Sequence, residues 1–415
     1  MTTLLEVYWG KSLVGQLWLS DDNMQFEYAE SWLNNPNALP LSKRLPLQKG
    51  SFPSDRVKIF FCNLLPEEEL RKRLSKQYGI SEDNYFGLLE KIGGECAGAL
   101  SILPKNFSFS QESSYEELSN QKLNDMIDNR ANTPFIISHQ SSRMSLAGAQ
   151  DKLPVFFDNN KVYLPTGWHS SSHILKPPST IWKNTAINEL FCMTLAKKIG
   201  LNVPDVSIYN TGKHLCYLIE RYDRVRENKE LKRVHQEDFC QALGLMPSQK
   251  YQKNGGGVNL KNCFNFIEQN SSSPLKDIIQ LIKWVIFNIV IGNCDAHAKN
   301  LSLLIHDNGD YTLAPFYDIL STTVYPDLNQ ELAMKVGGDY SLNNTKQHRW
   351  KKFAEEIQIQ ATLIKNTSLE VCNSIKTHTS TITQQIQESW GKSDVINKIQ
   401  NKAIQRSDAI LKSWN

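Results

Sequence analysis

No apolar run in this 415-residue chain is long enough to cross a bilayer. The longest, Trp284–Ile291, is eight residues and already contains Asn288, against the roughly 20 that a membrane span needs. Neither sign of charge dominates. Lys plus Arg is 46 and Asp plus Glu 43, a net charge of +3, which excludes a polybasic nucleic-acid coat and leaves room only for local basic patches. No cysteine pair has CxxC spacing, and the eight cysteines stand more than 20 residues apart. A disulfide framework or zinc site is therefore not expected, and buried reduced thiols in a cytoplasmic protein are. The first twenty residues lack a basic stretch ahead of an apolar block, and they read as a first β-strand instead of a signal peptide. What remains is an ordinary globular balance, 40% apolar and 21% charged, at a length that suits two or three domains of roughly 150 residues.

Residues 4–28 alternate apolar and polar positions around Gly10 and Gly15, the pattern of a twisted hairpin. A Pro-punctuated loop follows, then helical spacing in RVKIFFCNLLPEEELRKRLSKQYG closed by Gly79, then a further helix and the strand AGALSILP. Residues 1–105 thus read as one small α+β unit. Residues 106–140, Ser/Asn/Gln/Glu-rich, read as a linker with one helix from about Tyr115 to Asn129. Strand-like runs then flank a single helix, TAINELFCMTLAKKIG, through residue 222. From 223 to 415 the pattern is mostly helical, interrupted by LSLLIHDNGDYTLAPFYD, whose Asn308–Gly309 pair signals a tight turn. Trp284, Phe287 and Ile291, at helical spacing, read as core.

The chemistry concentrates at 291–318. After an apolar helix, Asp295 and Asn300 stand five residues apart, and Asp318 follows a second strand eighteen residues on. The letters HRD and DFG are absent, but Asp, four residues, Asn, hairpin, Asp is the catalytic-loop and metal-binding order of protein kinases. Phosphoryl transfer needs an acceptor that orients the incoming hydroxyl, here Asp295. It also needs hard oxygen ligands for Mg²⁺, here Asn300 and Asp318. The same spacing arises by chance in many chains, so upstream residues matter. Lys176 ends an apolar strand, where a kinase places its phosphate-binding lysine, and Glu189 in the next helix is its candidate ion-pair partner. The run 145–152 carries one glycine where a kinase loop has three, a weak phosphate cradle by itself.

SLAGAQDK (145–152), HILKPP (173–178), NELFCMTLAKKIGLNVPD (188–205), ERYDR (220–224), HQEDFCQALGLMPSQKY (235–251), GNCDAHAKN (292–300) and LAPFYDILS (313–321) occur in this order. Together with ESWLNNPNALPLSKRLPL and NLLPEEELRKRL in the N-terminal unit, they resemble the HipA family of bacterial toxin serine/threonine kinases over nearly the whole chain. The resemblance implies an α+β fold: a small N-terminal α+β subdomain, then a two-lobed, protein-kinase-like core of the lipid-kinase-related type. Residues 141–222 would be the N-lobe and 223–415 the mostly helical C-lobe, with ATP between them and Mg²⁺ as cofactor. It also implies Asp295 as catalytic base, Asn300 and Asp318 as metal ligands, and Lys176 on the ATP phosphates. Ala147, Gly148, Ala149, Gln150, Asp151 and Lys152 would form the phosphate loop. Glu220, Arg221 and Tyr222 would make the adenine hinge, His297 would lie beside the nucleotide, and Ser145 would be the autophosphorylation site. Asp151 departs from the family's longer Glu, which leaves its own contact unassigned. The implied partners are a HipB-like helix-turn-helix antitoxin and, as substrate, an aminoacyl-tRNA synthetase, with glutamyl-tRNA synthetase the leading case; its phosphorylation would stop translation and growth.

Other features carry less. His169 and His173 are four apart with three serines between them, a loop instead of a zinc helix. Residues 345–415 hold eleven Lys/Arg against six Asp/Glu, densest at His348, Arg349, Lys351 and Lys352. This is either a solvated helix face or a weak backbone contact to DNA held by the antitoxin. Gly255–Gly257 read as a flexible loop. Two rival functions stay open at this level: a co-repressor acting mainly with a DNA-binding antitoxin, and a small-molecule or lipid kinase.

Overall fold

The apolar alternation at the N-terminus becomes strands β1 (Leu4–Trp9), β2 (Ser12–Ser20) and β3 (Asn23–Tyr28), joined later by β4 (Leu100–Pro104). The antiparallel order is β3-β2-β1-β4. The hairpin expected over 4–28 is thus a three-stranded meander. Its second turn is carried by Asp21 and Asp22, both at positive φ, which side chains able to bond their own backbone tolerate. Leu5, Val7, Val14, Leu17 and Phe26 point inward onto Val57, Phe60 and Phe61 of the helix Ser54–Cys62. The helical run after Arg56 is two helices, Ser54–Cys62 and Glu68–Tyr78. Pro66 between them has no N–H to continue the ladder, and the Asn63 amide turns back onto the Ile59 and Leu245 carbonyls at 2.8 and 2.9 Å.

The computed structural model describes residues 4–105, 107, 114–137, 147, 148, 150–227, 230–253 and 257–414. It divides into two compact units. One is Met1–Pro177 with Tyr209–Pro247 and Leu303–Asp310; the other is Pro178–Ile208 with Ser248–Ser302 and Tyr311–Asn415. The helix Thr185–Lys198 packs on Ala361–Trp390 and Asp394–Ser413 of the second unit.

Most of the larger sheet belongs to the first unit, only Val206–Ile208 of its edge strand falling in the second. The sheet's strands are β5 (Tyr115–Glu117), β6 (Leu153–Asp158), β7 (Lys161–Pro165), β8 (His173–Lys176), β9 (Val206–Asn210) and β10 (Leu215–Glu220). They lie in the order β5-β7-β6-β8-β10-β9. The start of the expected linker helix is therefore an edge strand, Tyr115 pairing opposite Pro165 while its ring stacks on Phe156 at 4.0 Å. The helix begins later, at Asn120–Asp128, because the Ser119 hydroxyl caps it by accepting the Lys122 N–H at 3.2 Å.

Behind β4 lies a buried ion network. Glu95 accepts from Arg221 at 3.3 Å and Arg224 at 2.9 Å, and Asp223 accepts from Arg221 at 2.7 Å. Arg233 joins it through the hydroxyls of Ser170 and Ser101, both at 2.8 Å. Burial alone would raise the Glu95 carboxyl, but Arg221, Arg224 and Arg233 hold it down to about 2. Burial opposes ionisation of Asp223 as well, and Arg221 and Arg224 again keep its carboxyl well below the usual range.

In the second unit the helix Pro274–Ile291, opened by proline in its first turn, is buried along most of its length. It packs against Leu260–Asn270, Ala361–Trp390 and Asp394–Ser413, with Trp284, Phe287 and Ile291 in the core as their spacing predicts. Arg349, grouped above with the basic cluster, is instead fully buried. Its guanidinium donates to the carbonyls of Val336, Ser341, Asn344 and Asp339 at 2.6–3.2 Å, so it is not available to a phosphate. All eight cysteines are buried. No helix among the described residues is long and apolar enough to cross a membrane.

Replacing Glu95 by Ala leaves three buried guanidinium groups with one carboxylate. The expected loss is about 3–5 kcal/mol of stability in chemical denaturation. Because the folded pKa lies below the ordinary 4.5, wild-type stabilisation from Glu95 is complete above that pH and disappears as pH falls toward 2. A Glu95→Gln variant should therefore show a shallower acid dependence across that window.

Candidate active site

The helix Pro274–Ile291 stops at Gly292, whose φ is +74°. A side chain there would be strained by that angle, and its Cβ would lie 2.2 Å from the Thr323 hydroxyl and 2.6 Å from the Arg406 guanidinium, so both would have to shift. The Gly292 carbonyl receives the Thr322 and Thr323 N–H groups at 3.0 and 3.1 Å, and the Thr322 hydroxyl receives the Cys294 N–H at 2.8 Å. The loop 292–300 is thus fastened to the segment that follows Asp318.

Within that loop, neutral amides set the geometry. The Asn293 side-chain oxygen accepts the Asp295 N–H at 3.0 Å, and its NH₂ donates to the Asn288 side-chain oxygen at 2.8 Å and, more weakly, to the Asp318 carbonyl at 3.5 Å. Asn300 folds back to donate its NH₂ to the Asp295 carbonyl at 2.9 Å. The four-residue interval between Asp295 and Asn300 is the length of this turn, and the bond leaves the Asn300 side-chain oxygen as an acceptor. The Asp295 side chain is 50% exposed, with His297 Nε2 3.9 Å from its Oδ1. Asp318 sits in the left-handed region at φ +52°, a conformation that costs about 1–3 kcal/mol and persists only where neighbours over-determine it. Those neighbours are Tyr317, whose hydroxyl donates to the Lys299 carbonyl at 2.6 Å, and Phe316, stacked on Trp284 at 5.9 Å.

Asn300 and Asp318 offer hard oxygens only. Among the described residues no cluster of three or more His, Cys, Asp or Glu could hold a metal. That donor set fits Mg²⁺, which keeps several waters and takes one or two protein ligands alongside phosphate oxygens, and it does not fit a caged structural ion.

The remaining candidates lie in the first unit. Ser145 and Ala149 fall outside the described residues, as do two of the three glycines at 255–257. Gly148 has φ +113°, and a Cβ there would meet the Lys152 ammonium at 2.8 Å; its carbonyl accepts the Glu67 N–H at 3.1 Å. Ala147 precedes it, Gln150 is exposed and Lys152 is buried. Asp151 turns away into the fold: burial raises its carboxyl, which accepts the Phe135 and Ile136 N–H groups at 2.8 and 3.4 Å near Arg73. Lys176 is buried at the end of β8, its ammonium 5.5 Å from the Tyr217 ring. Glu189 is buried in the helix of the second unit. At the expected hinge Glu220 is exposed, Tyr222 donates to Gln236, and the Arg221 side chain is held in the ion network while its N–H donates to the Ser172 carbonyl at 2.9 Å. Sequence reasoning did not reach Asn293, Glu95 or Tyr251, whose hydroxyl donates to Asp295.

Residues 144–379 match the family of HipA-like C-terminal domains, and residues 5–103 the HipA N-terminal domain family. The chain is 37% identical to the Sinorhizobium fredii protein named "Putative kinase Y4mE", over 87% of each chain. It is 30% identical to the serine/threonine-protein kinase toxin HipA of Shewanella oneidensis, over 88% of this chain and 85% of that one. Its fold matches the solved structure of the Shewanella oneidensis toxin–antitoxin system HipA, HipB and operator DNA. The TM-score is 0.84 at 26% identity, covering 98% of this chain and 99% of that one.

Gly292→Ala should damage the loop twice over, through its backbone angle and through the clash. Gly10, at φ +60° with nothing within 4 Å of a Cβ, provides the control, where only the left-handed cost of about 1–2 kcal/mol applies. Denaturation curves should show Gly292→Ala to be the more destabilised variant.

Proposed function

The chain belongs to the HipA family of protein kinases, and from that premise we propose that it is an ATP- and Mg²⁺-dependent serine/threonine kinase acting as the toxin of a toxin–antitoxin pair. The observation that carries this reading is the Asp295–Asn300 turn, tied through Asn293 and Thr322 to the segment bearing Asp318. Asp295 accepts the proton of the incoming hydroxyl, and its partial exposure keeps it reachable. Asn300 and Asp318 would hold Mg²⁺, which when bound supplies positive charge against the phosphate oxygens. Lys176 and the amides of residues 147–152 hold the phosphates, with Asp151 serving the loop's shape instead of the nucleotide. The backbone of 220–222 serves the adenine, with His297 beside the nucleotide.

Residues 1–105 form the N-terminal subdomain, 141–222 the N-lobe and 223–415 the C-lobe of this kinase. The likeness to a HipA solved with HipB and operator DNA supports a HipB-like antitoxin as partner, with DNA reached through that complex. Arg349 is removed from any direct backbone contact by its burial. An aminoacyl-tRNA synthetase, glutamyl-tRNA synthetase first, is the substrate to test, and Ser145 is the site of self-modification.

Asp295→Ala and Asp318→Ala should each abolish phosphoryl transfer from Mg·ATP while retaining the fold. Asp318→Ala should weaken Mg·ATP binding more, since it loses a metal ligand where Asp295→Ala loses an orienting acceptor. Wild-type turnover in either variant would sink the assignment. Phosphoproteomics after brief expression, with Asp295→Ala as the blank, identifies the substrate, and Ser145→Ala should lose self-phosphorylation while still binding ATP.

A further inference from the structure

The side chain nearest the chemistry that neither the motif nor the spacing points to is Tyr251. Its hydroxyl donates to Asp295 Oδ1 at 2.5 Å. The residues on either side are anchored by backbone bonds. The Lys250 carbonyl accepts the Ala298 N–H at 3.3 Å, and the Gln252 N–H donates to the Ala333 carbonyl at 3.0 Å. The Gln252 side-chain oxygen accepts the Lys335 N–H at 2.6 Å, and Lys253 pairs with Glu331. The ring stands edge-on to His297, with centroids 5.2 Å apart at 84°, and the Lys250 ammonium lies 5.2 Å from its centre. The phenol therefore reaches Asp295 from a segment whose own position is fixed on both sides.

A carboxylate has two oxygens. Among the described residues Oδ1 accepts from Tyr251, while Oδ2 accepts from no side chain or backbone group, on a side chain that is half exposed. We infer that Tyr251 is a positioning residue for phosphoryl transfer. By holding Oδ1 it sets the carboxylate torsion so that Oδ2 presents to the acceptor hydroxyl. Without the phenol, the carboxylate rotates about its terminal bond, whose well is broad and roughly two-fold, and the productive orientation becomes one of several. The proton of Tyr251 stays on the phenol throughout; the proton of the acceptor hydroxyl passes to Oδ2 as its oxygen bonds to phosphorus and the bond to ADP breaks.

This inference rests on Asp295 being the base, and the experiment separates the two. The full chain is assayed with Mg·ATP for ATP hydrolysis and for self-phosphorylation, comparing Tyr251→Phe, Asp295→Ala and the double variant. Phe keeps the ring against His297 and removes only the hydroxyl. Tyr251→Phe should lower kcat by about 10- to 100-fold, a share of what positioned acid–base groups contribute, with KM for ATP unchanged within about twofold and an unchanged melting temperature. In the residual ATP hydrolysis of the Asp295→Ala chain, the same replacement should cost nothing further, because the group it positions is gone. Wild-type or faster turnover of Tyr251→Phe overturns the inference, the latter by showing that the phenol blocks the acceptor position. A full additional loss in the double variant overturns it too. If instead Asp295→Ala keeps wild-type turnover, the base assignment itself falls, and the inference with it.

Discussion

Two carboxylates and three guanidinium groups buried behind β4 tie segments of the first unit together. Glu95 and Asp223 face Arg221, Arg224 and Arg233, and all five side chains are nearly fully buried. Taking such charges out of water is expensive, and the Coulombic return covers it only where the hydrogen bonds are also complete. Here they are largely supplied. Arg221 also donates to the Cys96 carbonyl and the Ser171 hydroxyl, Arg224 to the Gly98 carbonyl, and the Gly98 N–H closes on Asp223 at 2.7 Å. The excess positive charge is shared over these neutral acceptors. These bonds tie the segment before β4 to the strand end at 220–224 through specific partners.

The second unit solves its placement problem with neutral amides. Asn188, Asn288 and Asn293 link the helix Thr185–Lys198, the helix Pro274–Ile291, the loop after Gly292 and the Ser321 backbone. An amide donates and accepts at once, so a few such groups pass orientation from core to loop without placing a fixed charge beside Asp295 and Asp318. The two units therefore use different chemistry for different ends, charge for tying segments together and dipoles for aim.

Local rules accounted for much of what was legible and failed at identifiable places. Helical spacing reads on through Pro66 because apolar residues at intervals of three and four occur on both sides of it. The helix expected from Tyr115 begins five residues later because Ser119 competes as a cap and Tyr115 finds a strand partner in Pro165. Arg349 read as a surface cation because its neighbours Lys351 and Lys352 are cations. Only the fold reveals the ring of carbonyls that encloses it. Asp151 sat inside a phosphate-loop motif, yet its carboxylate answers to backbone N–H groups 15 and 16 residues away.

The sequence by itself determined the reaction class, and it set the proposed central groups in one local segment. Asp295, Asn300 and Asp318 are joined by a turn and a short hairpin, and structure that local leaves its spacing in the letters. It equally determined the family, because long motifs in a fixed order survive substitution elsewhere. The tertiary structure alone decided how those groups are held. Glu95 meets Arg221 across 126 residues and Tyr251 meets Asp295 across 44, and no periodicity or propensity spans such an interval. Bonds of that kind form only once packing has brought distant segments together, since nothing local repays the entropy of closing the chain between them.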